Sequence, residues 1–348
     1  MHVGHRLTGS FMKYLRNKTS KIIFVYAAGA LLLLVAAVLG VMLGASDMSF
    51  SDVLTAIFGA SIDSPEARII WYVRIPRVAG ALVCGAALAV SGAVIQGVLA
   101  NRLASPSIIG VNSGAALAVT VCAALGVAGG LRTSLFAFIG AFVTVVLVSL
   151  GAKKWGASRG TVILMGVAVN SLLGAISDTV ITFSPNVGIA SNDFRIGSFS
   201  SVTPSKLIPV AIAVIAALVV AFSLSNELDV LTLGEDNARG LGLNTGVTRL
   251  VFLLIAAVLA GSAVSICGLL SFVGLLVPHA VRRAVGTGAR HLLPLSALFG
   301  AGFVALCDTL SRVVLAPYEL PVGIILAFIG APFFIFLLVN GKGGRTHA

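Results

Sequence analysis

A chain of 348 residues that is 58% hydrophobic and only 10% charged cannot clothe a water-facing surface, since soluble proteins carry roughly 25% charged residues. Its mean hydropathy of +1.08 points to lipid as the solvent and excludes most soluble enzymes. The net charge of +11 would suit nucleic acid only if the basic residues shared one polar face, so their positions decide.

Taken in chain order, residues 1–21 form a basic N-terminal segment, and 22–46 contain no Asp, Glu, Lys or Arg before Asp47. That run exceeds the roughly 7–15 apolar residues of a cleaved signal, which predicts a retained first span. Charge-free runs recur at 78–101, 133–152, 160–177, 207–226 and 320–341, each long enough for a helix across a ~30 Å hydrocarbon core. The run 103–131 gathers its polar residues and Pro106 at its start, so its span is predicted from about Ile108. The run 250–281 would be about 48 Å long as one helix. Gly261, Gly268, Ser271 and Gly274 punctuate it, which predicts two short spans with a tight turn near 267–271. Residues 291–310 supply the last crossing. The fold class is therefore an all-α integral membrane protein of about ten spans over 22–340, with a connection at 225–249 and a tail at 341–348.

Ten spans place both termini on one side. If that side is cytoplasmic, sixteen of the 23 basic residues lie inside, as the positive-inside rule requires. The excess charge then reports topology and leaves no case for nucleic acid. The 39 glycines, many inside spans beside alanine and serine, suit close helix packing in lipid. Gly110-Val-Asn-Ser-Gly114 is a GxxxG, expected to serve packing within the chain. Ser91-Gly-Ala-Val94, with Pro106 after it, echoes Gly261-Ser-Ala-Val264 and Pro278, a faint inverted repeat. Cys84, Cys122, Cys267 and Cys307 have no metal-type spacing and read as small apolar residues.

Three polar features exceed what an anchor needs. Trp71-Tyr-Val-Arg74-Ile-Pro-Arg77 puts two arginines at an outer span entrance, either snorkelling to headgroups or docking an acidic partner surface. Asp308 and Arg312, four apart, can pair on one helix face, and Arg312 can also turn outward to join the first pair. Within 225–249, Gly234 can open a short helix whose first turn holds Glu235 and Asp236, with Arg239 before a stop at Gly240 or Gly242. Such a helix either rests on lipid or seats a partner. The sequence holds no P-loop, GxSxG or paired metal-binding histidines, and few carboxylates deep in spans, which disfavours an enzyme and an ion-coupled carrier.

Several ordered blocks now resemble a known family. Arg74-Ile-Pro-Arg77, Gly85-Ala-Ala-Leu-Ala-Val-Ser91-Gly92-Ala-Val-Ile-Gln96, Leu103-Ala-Ser-Pro106 and Gly110-Val-Asn-Ser-Gly114 are similar to the first half of FecCD-type ABC importer permeases. Leu233-Gly234-Glu235, Ala238 and Leu241-Gly242 match that family's cytoplasmic loop. Phe272-Val-Gly274, Pro278-His279, Arg282-Arg283, Glu319-Leu-Pro321-Val-Gly323 and Gly330-Ala-Pro332 match its second half.

The resemblance implies a type II importer permease with an inverted-repeat bundle in the bacterial inner membrane, both termini cytoplasmic. It would dimerise with an identical or paralogous second permease, above two ABC ATPase subunits and below a periplasmic or lipid-anchored substrate-binding protein. It implies no cofactor on this chain, ATP and Mg being used by the ATPases. Arg74, Arg77 and Arg312 are the implied docking positions. Gly234, Glu235, Ala238, Leu241 and Gly242 belong to the implied coupling helix, and Asn170 and Ser171 are polar candidates for the pathway, where helix packing is the competing reading. Ferric siderophore is the expected cargo, ahead of haem or cobalamin. Two departures, Arg102 where the family often has proline and the stretch Phe194-Arg-Ile-Gly197-Ser198 where a tryptophan often precedes the Gly-Ser, leave the local turn and the outer-gate packing open.

Overall fold

The computed structural model describes residues 4–44, 48–58, 64–127, 129–154 and 158–340. The expected tail at 341–348 and the first three residues lie outside them. Every regular element among the described residues is helical. In chain order these are α1 (Gly4–Met42), α2 (Phe50–Phe58), α3 (Pro65–Ile69), α4 (Ile75–Val98), α5 (Val111–Ala124), α6 (Gly130–Lys154), α7 (Arg159–Phe183) and α8 (Pro185–Ile196). They continue as α9 (Pro204–Ser223), α10 (Ser225–Thr232), α11 (Glu235–Gly240), α12 (Thr245–Cys267), α13 (Val273–Val285), α14 (Ala289–Val313) and α15 (Val322–Asn340).

Seven of these helical segments are long and apolar enough to cross a bilayer, and α5 and α15 supply shorter apolar ones. With α13 they make the ten predicted crossings. Local chemistry sets their ends. Ser158 and Asn244 accept the backbone N–H of Thr161 and Val247, capping α7 and α12. Pro65 and Pro204 stand in first turns, where a missing N–H costs nothing. A π-turn at Ile70–Arg74 joins α3 to α4, so the second crossing starts earlier than the charge-free run suggests. The short helices α2, α3 and α8 have no counterpart in the charge pattern, which registers only the spans.

Leu228 packs on Gly97, near the end of α4, so the connection 225–249 lies at the end opposite Arg77. We call its side the lower end and the Arg77 side the upper end. α4 and α12 cross at the centre of the bundle, nearly all of both buried, and the Ser91 hydroxyl donates to the Ala256 carbonyl at 2.8 Å. Around them the halves repeat each other's contacts. α4 meets α14 where Gly85 faces Gly300, and α12 meets α6 where Gly261 faces Ala141. α7 lies against the lead-in to α5 through Gly166 and Ile108, as α15 lies against the lead-in to α13 through Gly330 and Phe272. The faint sequence echo is thus carried by a repeated set of packing relations.

Glycine makes these approaches possible. A Cβ on Gly85 or Gly92 would run into the backbone carbonyl of Gly300 or Gly274. Gly114 of the GxxxG packs on Gly140 and Thr144 of α6, the intrachain role expected of it. The four cysteines are buried and free.

The two short crossings begin inside the bundle. α5 and α13 are 14 and 13 residues long, about 20 Å each. Each follows a lead-in that breaks the α-helical backbone, through a 3-10 turn at Pro106–Ile109 and left-handed Gly110 (φ 94°) before α5 and through Gly268 and Phe272 (φ 72° and 66°) before α13. Irregular backbone at membrane depth survives only where protein satisfies its polar groups. The side chains and carbonyls that do so define the next part of the molecule.

Candidate functional site

At the upper end, three arginines converge. Arg74 Nη1 donates to the carbonyls of Val41 (3.0 Å) and Met42 (2.8 Å). Arg312 donates from Nη2 to Gly40 and from Nη1 to Leu43, each at 3.0 Å. Those four carbonyls close α1, whose last turn leaves them without intrahelical partners. Two guanidiniums therefore cap one helix C-terminus, and their charge complements its dipole.

Arg77 does different work. Its Nη2 meets Asp308 Oδ1 at 3.0 Å and its Nη1 meets Glu319 Oε2 at 2.6 Å. Arg312 Nε adds 3.3 Å to Asp308 Oδ2, the pairing expected from their four-residue spacing. The network ties α1, α4, α14 and the segment before α15 together. Arg74, Arg77 and Arg312, the implied docking positions, are only 4%, 5% and 2% exposed in this chain. All three turn inward because the carbonyls and carboxylates that satisfy them lie inside the chain. Arg312 does join the first pair, from within. Sequence reasoning missed Glu319 as a partner of Arg77, from which it stands 242 residues away in the chain.

Beside this network runs a backbone seam. The Leu269 N–H donates to the Phe194 carbonyl (2.9 Å), Ser198 N–H to Cys267 (2.8 Å) and Gly323 N–H to Gly197 (3.2 Å). It joins the end of α8, the turn after α12 and the start of α15. Gly197 holds φ 85°, and a Cβ on Gly323 would strike the Ile196 carbonyl. Phe194 thus contributes its carbonyl, a contact that does not depend on the side-chain departure noted above.

Asn170 supports the other lead-in. Its Nδ2 donates to the carbonyls of Ser107 (2.9 Å) and Ile108 (3.3 Å), and its Oδ1 accepts from Ser113 at 2.5 Å. Its polar atoms thus find partners within the chain. Ser171 is exposed on α7. At Arg102 the turn is held by the Asn101 side chain, which accepts the Leu103 N–H at 2.9 Å.

At the lower end, α11 spans Glu235–Gly240 between Gly234 (φ 105°) and Gly242 (φ 83°), as the acid-first, glycine-last pattern predicts. Glu235 pairs with Arg239 (2.6 Å) and, across the connection, with Arg249 of α12 (3.0 Å). The Arg249 hydrogen bond foremost holds the Glu235 carboxyl below its ordinary range, against partial desolvation. Arg159 donates to the Leu231 carbonyl (2.9 Å) and Asp229 accepts from the Ala289 N–H (2.8 Å), fixing α10 to α7 and α14. Ala238 is buried and packs inward. Leu233 and Leu241 stand 57% and 66% exposed on either side of α11.

The chain is similar to known proteins along most of its length. The model of the FecCD transport family matches residues 32–340. The iron(3+)-hydroxamate import system permease FhuB of Bacillus subtilis is 38% identical, over 94% of this chain and 86% of that one. The hemin transport system permease HmuU of Yersinia pestis is 32% identical over 91% and 96%. The cobalamin import system permease BtuC of Halobacterium salinarum is 37% identical over 78% and 73%. A solved metal-chelate type ABC transporter in an inward-facing conformation superposes with a TM-score of 0.79 at 31% identity, over 91% of this chain and 99% of that one. Family model, relatives and fold agree, and the chain belongs to the FecCD transport family.

Proposed function

We propose that this permease imports a ferric siderophore, with energy from two separate ABC ATPase subunits and cargo handed over by a substrate-binding protein. It works as a dimer with a second permease in the bacterial inner membrane, both termini and the 225–249 connection on the cytoplasmic side. ATP binding draws the ATPases together, α11 carries that motion into α12 through Glu235 and Arg249, and hydrolysis resets the cycle.

One observation supports this reading above others: α11 is a short, braced helix flanked by two exposed leucines. Leu233 and Leu241 offer apolar contact to a partner, while the Glu235–Arg249 pair transmits its movement to the centre of the bundle. Arg74, Arg77 and Arg312 hold together the upper end on which a binding protein would rest. The iron-hydroxamate permease among the relatives favours siderophore. Haem and cobalamin are the alternatives, through the relatives that carry those names.

Uptake into proteoliposomes of a ferric hydroxamate, haem and cobalamin, with and without the ATPase and binding protein, tests the proposal. Hydroxamate uptake that requires both partners and ATP is the expected result. Uptake driven by an ion gradient without an ATPase would overturn the importer reading, and preferred uptake of haem or cobalamin would overturn the cargo.

A further inference from the structure

The nine-residue helix α2 lies at the upper end, between the spans α1 and α4. It has its own start signal. The Ser49 hydroxyl accepts the Asp52 N–H at 3.2 Å, and the Asp52 carboxylate accepts the Ser49 N–H at 3.0 Å, a reciprocal cap that fixes the first turn locally. So short a helix is marginal in water on its own, and packing of its faces must hold it.

At about 100° per residue, α2 divides into three sectors rather than two. Ala56, Val53 and Ile57 form the first, packed with Ala67 and Ile70 onto Val41 and Met42 at the end of α1 and Ile75 at the start of α4. Phe50 and Leu54, one turn apart, form the second; both are apolar, and they are 64% and 38% exposed. Ser51, Thr55 and Asp52 form the third and are also exposed. A helix between a protein core and water needs one apolar face and one polar face. The extra apolar sector between them needs a second apolar medium.

The position of α2 identifies that medium. It packs where the span α1 ends, so it lies at the level where hydrocarbon gives way to headgroups. The exposed side chains of α1 stay apolar up to that level, through Leu39 and Leu43. Beside them, Trp71 Nε1 donates to the Ala56 carbonyl at 3.1 Å, in the last turn of α2, where carbonyls lack partners within the helix. The rest of the Trp71 ring and the neighbouring Tyr72 are exposed. Aromatic side chains with one polar atom concentrate at this level of a membrane. A protein arriving from water would meet Ser51, Thr55 and Asp52 rather than Phe50 and Leu54.

We propose that α2 is an interfacial anchor lying along the membrane surface at the upper end. Phe50 and Leu54 insert among the acyl chains of that leaflet, Trp71 and Tyr72 sit beside them at headgroup level, and Ser51, Thr55 and Asp52 face water. α2 carries no Lys or Arg, so apolar burial rather than headgroup charge holds it there. The anchor fixes the depth of the corner between α1 and α4, and it is independent of the cargo carried.

Spin labels on single cysteines test this in the full-length chain, with the four native cysteines replaced by alanine and vesicles of phosphatidylcholine and phosphatidylglycerol as the membrane. Oxygen concentrates in hydrocarbon, whereas a nickel chelate stays in water. The ratio of oxygen to chelate collisions should be roughly threefold or more higher for labels at Phe50→Cys and Leu54→Cys than at Ser51→Cys and Thr55→Cys. These sites are exposed, and unchanged melting midpoints would show that the variants fold. Equal ratios would put Phe50 and Leu54 in water, and labels shielded from both reagents would put them under protein; either result overturns the proposal. The native side chains give a second reading. In Trp155→Phe, Trp71 is the sole tryptophan, and lipid brominated near the headgroup end of its acyl chains should quench its fluorescence more than lipid brominated at the chain ends. Stronger quenching from the chain ends, or none from either, would also overturn the anchor.

Discussion

At the residue scale, the upper-end arginines show how position and environment can point in opposite directions. The charge rule marks Arg74, Arg77 and Arg312 as misplaced, because it counts cations as though they faced solvent. The structure removes the anomaly by burying them on carbonyls and carboxylates. Arg77, Arg312, Asp308 and Glu319 bring two positive and two negative charges together, so the cluster is close to balanced. Breaking that balance is more costly than the pairing is stabilising, since the partner left behind stays desolvated. Asp308→Asn keeps the shape and removes one negative charge between two buried guanidiniums. It should lower stability by about 3–5 kcal/mol, the range for breaking a buried pair. Glu319→Gln, at a carboxylate partly open to solvent, should cost no more than about 1 kcal/mol. Melting midpoints from size-exclusion profiles of the detergent-purified variants would rank them, and equal midpoints would contradict the buried-network account.

At the element scale, the sequence was legible wherever one strong rule acted. Long gaps between charges located the spans, because a charge at membrane depth is expensive. Gly234, Glu235, Arg239 and Gly242 located α11, because caps and dipole act within a few residues. What stayed hidden depends on distant partners. The Glu235–Arg249 pair, Asn170 on the lead-in to α5 and Glu319 on Arg77 join residues that no local spacing relates. The brace on α11 has a pH signature. Because Arg249 holds the folded-state carboxyl of Glu235 below its ordinary value, this stabilisation is complete above that value and fades as pH falls through the lowered one. Corrected for the intrinsic pH dependence of exchange, amide protection of Ala238 and Leu243 should hold from neutral pH down to about 4.5 and decline only below it. Glu235→Gln should speed exchange there by roughly two- to fivefold already at pH 7, the loss of a partly exposed pair. Protection in the variant equal to wild type at neutral pH would show that α11 is held by its glycine caps and backbone alone.

At the scale of the whole molecule, the repeated halves carry different loads. The lead-in to α5 is satisfied chiefly by a side chain, Asn170, whereas the turn before α13 is satisfied by the backbone seam from α8. That difference gives the upper end a fastening that can be opened: three hydrogen bonds between short segments, two of them on the turn that leads into α13. Opening the upper end to cargo must separate some part of it, and the seam is weaker than the helix-on-helix contacts at Gly85 and Gly92, where backbones touch directly. Phe194→Cys with Leu269→Cys tests this. The 2.9 Å hydrogen bond between these residues implies a Cα separation near 5 Å, within the usual range of a disulfide. With the four native cysteines replaced by alanine, oxidation should link the pair and reduce uptake in reconstituted vesicles at least tenfold, and reductant should restore it. Neither single cysteine should respond to oxidant. If the linked protein transports normally, the seam stays closed throughout the cycle, and the upper end opens along other surfaces.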